Sequence, residues 1–275
     1  MNILTADSVS TLDERHSGTV VVAGSHGGII AGMLAAQAGV HAVILNDAGV
    51  GKDAAGIASL ALLETIGMAA ATVDRRSTPM GKGELSLRSG VISHANHPAR
   101  ASGVRPGDSC REAARKLRHA AAPHGRLPQF SESRCRLGSP RSQPAVIGCD
   151  SVCLIRSSDA GKIMVIGSHA ALHAADLRLA LAVDACAAFF HDAGCLGEAE
   201  GIGRLPVLDQ RGIPTAAIDH HTARIGDARS MWESGRISFL NESAAMAGWR
   251  RGMSIPEAIA CSQATVVFAP QRACA

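Results

Sequence analysis

Residues that seldom recur by chance recur in this chain at a fixed interval. Asp7-Ser8-Val9 returns as Asp150-Ser151-Val152, and Gly24-Ser25-His26 as Gly167-Ser168-His169, each 143 positions later. From Asp47-Ala48-Gly49 onward the interval is 145, the counterpart being Asp192-Ala193-Gly194. The same interval joins Gly67 to Gly212, Asp74 to Asp219, Ile92-Ser93 to Ile237-Ser238, and Asn96 to Asn241. Self-similarity held this far is the mark of a tandem duplication, so the chain must fold as two copies of one unit. The boundaries read as a first repeat over 1–120, a linker over 121–145 rich in Pro, Arg and Ser, and a second repeat over 146–275.

The unit itself reads as α/β. Thr19 to Ala23 is a short β-branched run closed by glycine, which predicts a buried strand. Gly27 to Ala38 predicts a helix stopped by Gly39, Ala42 to Leu45 a second strand, Ala54 to Ile66 a second helix stopped by Gly67, and Ala69 to Val73 a third strand. Alternation of this kind implies right-handed parallel crossovers. A short helix near Pro98 to Ser102 and a capped one from Ser109 to His119 complete the unit. The second half repeats the order, with strands at 163–166, 185–190 and 215–218 and helices at 199–210 and 254–262. The expected architecture is two α/β lobes with mostly parallel sheets, related by a pseudo-twofold axis.

Composition narrows the function. Aromatic residues make up 3% of the chain and Tyr is missing, so stacking platforms for nucleic acid are not available, and a net charge of +3 is too mild to hold a polyanion. The longest apolar stretch, 163–190, is interrupted by His169, His173, Asp176, Arg178 and Asp184, which excludes a membrane span. The N-terminus has no apolar signal region. Eight cysteines stand at positions that the duplication did not copy, so they read as free thiols in a reducing compartment rather than as a framework. A cytoplasmic protein with a small-molecule substrate, no nucleic-acid or membrane partner, and room for homo-oligomers is the expectation.

Candidate site residues gather where the strands end, because ligands of open parallel sheets bind outside the carboxyl ends. Gly24-Ser25-His26-Gly27-Gly28 follows a strand and opens a helix, a place that offers backbone N–H groups to an anion. The spacing fits neither the dinucleotide fingerprint nor a phosphate-binding P-loop. Asn46-Asp47-Ala48-Gly49-Val50-Gly51-Lys52-Asp53 ends the next strand, and Asp74 the third. His26, Asp47 and Ser25 are the predicted catalytic set: His26 as acid or base, Asp47 to orient it, Ser25 to hold developing charge. Gly24, Gly27, Gly28, Lys52 and Asp74 are predicted ligand contacts, and Asp53 reads as a helix cap. Asp7-Ser8, with its copy Asp150-Ser151, suggests a ligand contact, a contact between halves, or an Asx-turn. Ser93 and Asn96, with Ser238 and Asn241, read as polar groups tied to backbone.

The two copies differ where a site would lie. Gly27-Gly28 became Ala170-Ala171, Lys52-Asp53 became Gly197-Glu198, and Asn46 became His191, while Lys82 corresponds to Asp227. Either the second loop has decayed and only the first half binds, or one composite site uses unlike parts of each half; the composite site is the expectation, with Ser168, His169, Asp192 and Asp227 as the second half's contributions. No cofactor is implied. A divalent metal held by His26 and His169, the one duplicated histidine pair, is a candidate without any supporting local motif. The expected activity is hydrolysis of an amide or related carbonyl or anionic substrate, ahead of a lyase. A non-catalytic small-molecule binder and a degenerate homologue are the alternatives.

Overall fold

The computed structural model describes residues 1–172, 180–197, 199 and 201–268. It is an α/β structure with two mostly parallel sheets interleaved with helices. The first sheet has five strands in the order β1 (Ile3–Ala6), β2 (Val20–His26), β3 (Ala42–Asn46), β4 (Ala69–Val73) and β5 (Ile92–Ala95). The second has six: β6 (Arg134–Leu137), β7 (Val146–Cys149), β8 (Ile163–His169), β9 (Ala187–His191), β10 (Thr215–Ile218) and β11 (Ile237–Leu240), again in sequence order. In each sheet four strands run parallel and the last, β5 or β11, turns antiparallel.

The registers match pair for pair. Ile3 faces Val20 and Val146 faces Ile163; Val20 faces Ala42 and Ile163 faces Ala187; Ala71 faces Ala95 and Ala216 faces Leu240. The irregularity before Val73 has its twin before Ile218, and isolated bridges join Val91 to Ser109 and Arg236 to Ser254. A register slip of one residue would exchange the two faces of a strand, so this agreement means that equivalent residues of the two halves lie on equivalent faces.

Each sheet is covered on both faces, as parallel strands require. On the first, α1 (Ile29–Gln37) and α2 (Ser59–Glu64) lie over Val21, Val43 and Leu45, and α4 (His97–Ala101) and α5 (Cys110–Leu117) over Val22, Ile44 and Ala71. Between them in sequence, α3 (Gly83–Ser89) lies near β1 and β2. On the second, α6 (Arg204–Gln210) covers Met164, Ile166 and Phe190, while α7 (Ala228–Ser234), α8 (Glu242–Met246) and α9 (Ile255–Phe268) cover Val165, Phe189 and Ile218. Phe189 stacks on Trp249 with ring centroids 4.6 Å apart. The first lobe's interior is aliphatic, whereas aromatic rings centre the second.

Three expectations differ from the structure. The predicted linker 121–145 contains β6, which pairs antiparallel with β7 and is pinned by Arg134 Nη2 to the buried Asp159, 2.5 Å away. The predicted helix 54–66 is broken, with a 3₁₀ segment over Lys52–Ile57 before α2, because Asp53 and Ala54 have left-handed backbone (φ 54° each). The predicted helix over 199–210 starts at Arg204, and Glu198, residues 173–179, residue 200 and residues 269–275 lie outside the described residues. No helix among the described residues is long and apolar enough to cross a membrane.

Candidate site between the lobes

The carboxyl ends of β3 and β9 meet. Asp47 is buried, and its Oδ1 accepts from Gly49 N (3.0 Å) and Arg75 N (2.9 Å). Asp192 repeats this with Gly194 N (3.1 Å) and His220 N (3.0 Å), and adds the His220 ring at Nδ1 (3.0 Å). Burial alone would raise the Asp192 carboxyl; the bond from His220 and the charge of that ring hold it below the usual range. For His220, burial works against the proton and the Asp192 carboxylate outweighs it, so its pKa rises. Asp47, predicted to orient a catalytic histidine, instead closes its own turn.

Asn46 and His191, at equivalent positions of the two halves, make equivalent bonds. Asn46 Oδ1 accepts from Ala48 N at 3.0 Å and its Nδ2 donates to Thr78 O at 3.1 Å. His191 Nδ1 accepts from Ala193 N at 3.0 Å and its Nε2 reaches Ala223 O at 3.0 Å. The imidazole thus places an acceptor and a donor where the amide placed its own, which fixes the Nε2–H tautomer. Burial pushes the His191 pKa down, in keeping with a neutral ring.

The other recurring polar residues are spent on the chain itself. Ser25 Oγ accepts from Val9 N (3.0 Å), and Ser168 Oγ from Val152 N (3.1 Å), each holding a 3₁₀ turn to its sheet. Asp7 Oδ1 accepts from Gly83 N (2.9 Å) and Asp150 Oδ1 from Ala228 N (3.0 Å), so each Asp holds the start of a helix in its own half. Asn96 bonds Ala70 N, Ala99 N, Leu60 O and Met68 O, and Asn241 the equivalent four groups. Ser93 and Ser238 donate to Thr72 O and Ala217 O. Asp74 binds Arg76 through both oxygens, and that ion pair lowers its pKa.

Gly27 N donates to Asn46 O (2.7 Å) and Gly28 N to His26 Nδ1 (3.1 Å), leaving neither N–H for a ligand. Gly24 is small because the loop at Gly81 and Lys82 passes against it, where a Cβ would overlap backbone. Gly28 is small because the His26 ring folds back over it, and a Cβ there would sit 2.6 Å from Nδ1. Ala171 at the equivalent place belongs to the small apolar cluster of Ala48, Met80, Ala193 and Ile225 where the lobes touch. His169 is buried and faces His191 in register.

Lys52, a predicted ligand contact, and Asp53, read as a helix cap, both cross between lobes. Lys52 N donates to His220 O (2.7 Å) and Nζ to Ser234 Oγ (2.7 Å). Asp53 pairs with Arg224 (2.9 Å), whose guanidinium also holds Asp227 at 3.0 Å, and Asp227 in turn caps α7 through Ser230 N (2.8 Å).

Behind that bridge lies a cavity of about 520 Å³ bordered by His26, Ile29, Ile30 and Asp53 from the first lobe and by Arg224, Ile225, Asp227 and Asp150 from the second. Of the predicted set, His26 and Asp227 meet here; Ser25, Asp47, Lys52, Asp74, Ser168 and Asp192 do not border it. Burial and the nearby His191 push the His26 pKa down to about 4. The wall also includes Phe130, Cys135 and Arg229. Sequence reading missed Arg224, although its place in the interval, opposite Pro79, marks a departure between the halves. Burial raises the Asp150 carboxyl.

Among the described residues, the grouping of three potential metal ligands is Asp219, His220 and His221, and it includes neither His26 nor His169. His220 Nδ1 is already bonded to Asp192 and Asp219 Oδ1 to His221 N, so this grouping is a hydrogen-bonded turn. A further cavity of about 520 Å³ beside β5 is lined by Leu60, Glu64, His94, Asn96 and Arg100 and holds none of the predicted catalytic residues. No disulfide occurs among the described residues. No family model, curated protein or solved structure matches the chain.

Proposed function

We propose that this chain binds a small polar molecule in the cavity between its lobes and that His26 makes the decisive contact. The observation that carries this is the state of the His26 ring. Nδ1 accepts the Gly28 N–H, and a pKa near 4 keeps the ring neutral at pH 7, so the proton sits on Nε2. Gly28 is the ring's hydrogen-bond partner among the described residues, which leaves Nε2–H to donate to a carbonyl or carboxylate oxygen. Ile29, Ile30 and Ile225 supply apolar wall, and the Asp53–Arg224–Asp227 bridge supplies the polar one, the usual make-up of a ligand site.

The same donor favours a second reading, hydrolysis of an amide or related carbonyl compound. Nε2–H would polarise the carbonyl oxygen and water would attack, since Ser25 Oγ serves Val9 N and Asp47 serves its own turn. The test is a thermal-shift screen of small carboxylates and amides against the native protein and His26→Ala, followed by product analysis of each binder. Binding that needs His26, with the compound recovered intact, supports the binder. Turnover lost in His26→Ala at unchanged melting temperature supports the hydrolase. Equal binding by both proteins overturns the role given to His26.

A further inference from the structure

The charged groups around the cavity between the lobes are not equally engaged. Arg224 holds Asp227 Oδ2 through Nε and Nη2 and Asp53 Oδ2 through Nη1, so two carboxylates share its guanidinium. Asp150 accepts Ala228 N at Oδ1 (3.0 Å) and Ser133 N at Oδ2 (2.7 Å). Arg229 is different. It is exposed on the same wall, it donates to the Cys135 sulfur at 3.9 Å, and it forms no ion pair among the described residues. Its charge reaches Asp150 only across a distance, where burial outweighs it and the carboxyl rises.

The duplication sets this cation apart. The equivalent of Arg229 in the first half is Glu84, which accepts from Thr5 Oγ1 at 3.3 Å, and the equivalent of Arg224 is Pro79. Charge is thus reversed between the halves at a position that borders the same cavity as His26.

The apolar wall is open too. Ile29 and Ile30 line it from the first lobe and Ile225 from the second, and Phe130, 48% exposed, completes it. Phe189 and Phe190 lie in the core, and Phe239 lies under the Arg251 guanidinium, 4.9 Å from its ring centroid. Among the described residues, Phe130 is the phenyl ring that the chain leaves uncovered.

We propose that the molecule bound here is an N-acylated amino acid with an apolar side chain. Its carboxylate lies on Arg229, its acyl carbonyl oxygen on His26 Nε2–H, and its side chain against Ile29, Ile30, Ile225 and Phe130. The assignment rests on the donor role given to His26 above. A guanidinium matches a carboxylate with two parallel N–H bonds, and burial against the isoleucines removes the side chain from water. The acyl group follows from the carboxylates. Asp53 and Asp227 are paired with Arg224 and Asp150 with two backbone N–H groups, so the wall favours an uncharged acyl nitrogen over an ammonium. A volume of about 520 Å³ is in the range of sites for molecules of this size.

Titration calorimetry with N-acetylphenylalanine tests this, beside three probes that each lack one feature. N-acetylphenylalanine amide lacks the carboxylate, hydrocinnamate the acylamino group, and N-acetylglycine the apolar side chain. Each should bind the native protein about tenfold more weakly, or worse. Arg229→Gln should weaken N-acetylphenylalanine to the level of its amide and leave the amide's affinity unchanged, at the native melting temperature because the residue is exposed. Phe130→Ala should weaken the acid and its amide and spare N-acetylglycine. An amide bound as tightly as the acid, or an acid whose affinity Arg229→Gln does not move, overturns the assignment; His26 keeps its role if His26→Ala still weakens both. Affinities that His26→Ala leaves unchanged strike the donor reading beneath it instead. No binding of N-acetylphenylalanine also overturns the assignment, and the wider screen above then decides the role of His26.

Discussion

Gly49 and Gly194, equivalent residues 145 positions apart, lie against each other where the lobes meet: a Cβ on Gly49 would fall 3.0 Å from the Cα of Gly194, and one on Gly194 would fall 2.9 Å from the Cα of Gly49. Both have left-handed backbone, φ 72° and 73°. The Asp-Ala-Gly turns therefore recur because two copies of one turn form the contact between lobes, with Ala48 and Ala193 beside them. Gly49→Ala or Gly194→Ala adds a strained φ and an overlap at once, and each should cost about 2–4 kcal/mol. Urea unfolding measures this. A loss below about 1 kcal/mol would show that the contact yields easily.

The serines test structural against chemical use. Ser25→Ala leaves the buried Val9 N–H without its acceptor, and Ser168→Ala does the same for the half-buried Val152 N–H. Each should destabilise by about 1–3 kcal/mol, the penalty for an unsatisfied buried donor. In the screen above, Ser25→Ala should bind ligand as the native protein does. Loss of binding or turnover at unchanged stability would return Ser25 to the site.

How far the fold was legible follows from where each signal lies. The strands at Ala42 and Ala69 and the cap at Ser109 were readable because β-branched runs, glycine stops and a side-chain cap act locally. The edge strands β1, β5, β6 and β11 were not, since each is four residues long and owes its form to its neighbour. Recurrence of Asp47, Ser25 and Asp7 was read partly as chemistry, but duplication preserves turn closures as faithfully as ligand contacts. The bridging role of Lys52, Asp53 and Arg224 lies between lobes, where no local pattern reaches. His26 was singled out by its glycine-flanked turn at the end of β2, and Asp227 by its difference from Lys82.

The Asn46 and His191 equivalence predicts an asymmetric pair of substitutions. His191→Asn keeps an acceptor for Ala193 N and a donor for Ala223 O, and should cost no more than about 1.5 kcal/mol, most of it from lost volume. His191→Ala removes both and should cost about 3 kcal/mol or more. Equal losses would mean that the ring matters for packing alone.

Acid should report on His26. The unfolded chain takes up this proton near pH 6.5, whereas the folded ring holds out until about pH 4. Between those values the unfolded state binds more protons, so stability falls as pH falls through the window and is fully present above it. At about 1.36 kcal/mol per unit the shift bounds the loss near 3 kcal/mol, on the order of one large core truncation. Burial of His191 adds a fall of the same sign. Comparing urea stabilities at pH 7 and pH 4.5, His26→Gln should lose less than the native protein by about 2 kcal/mol, keeping the part that His191 contributes. Identical losses would place the His26 ring in solvent and remove the neutral Nε2–H donor on which the ligand assignment rests.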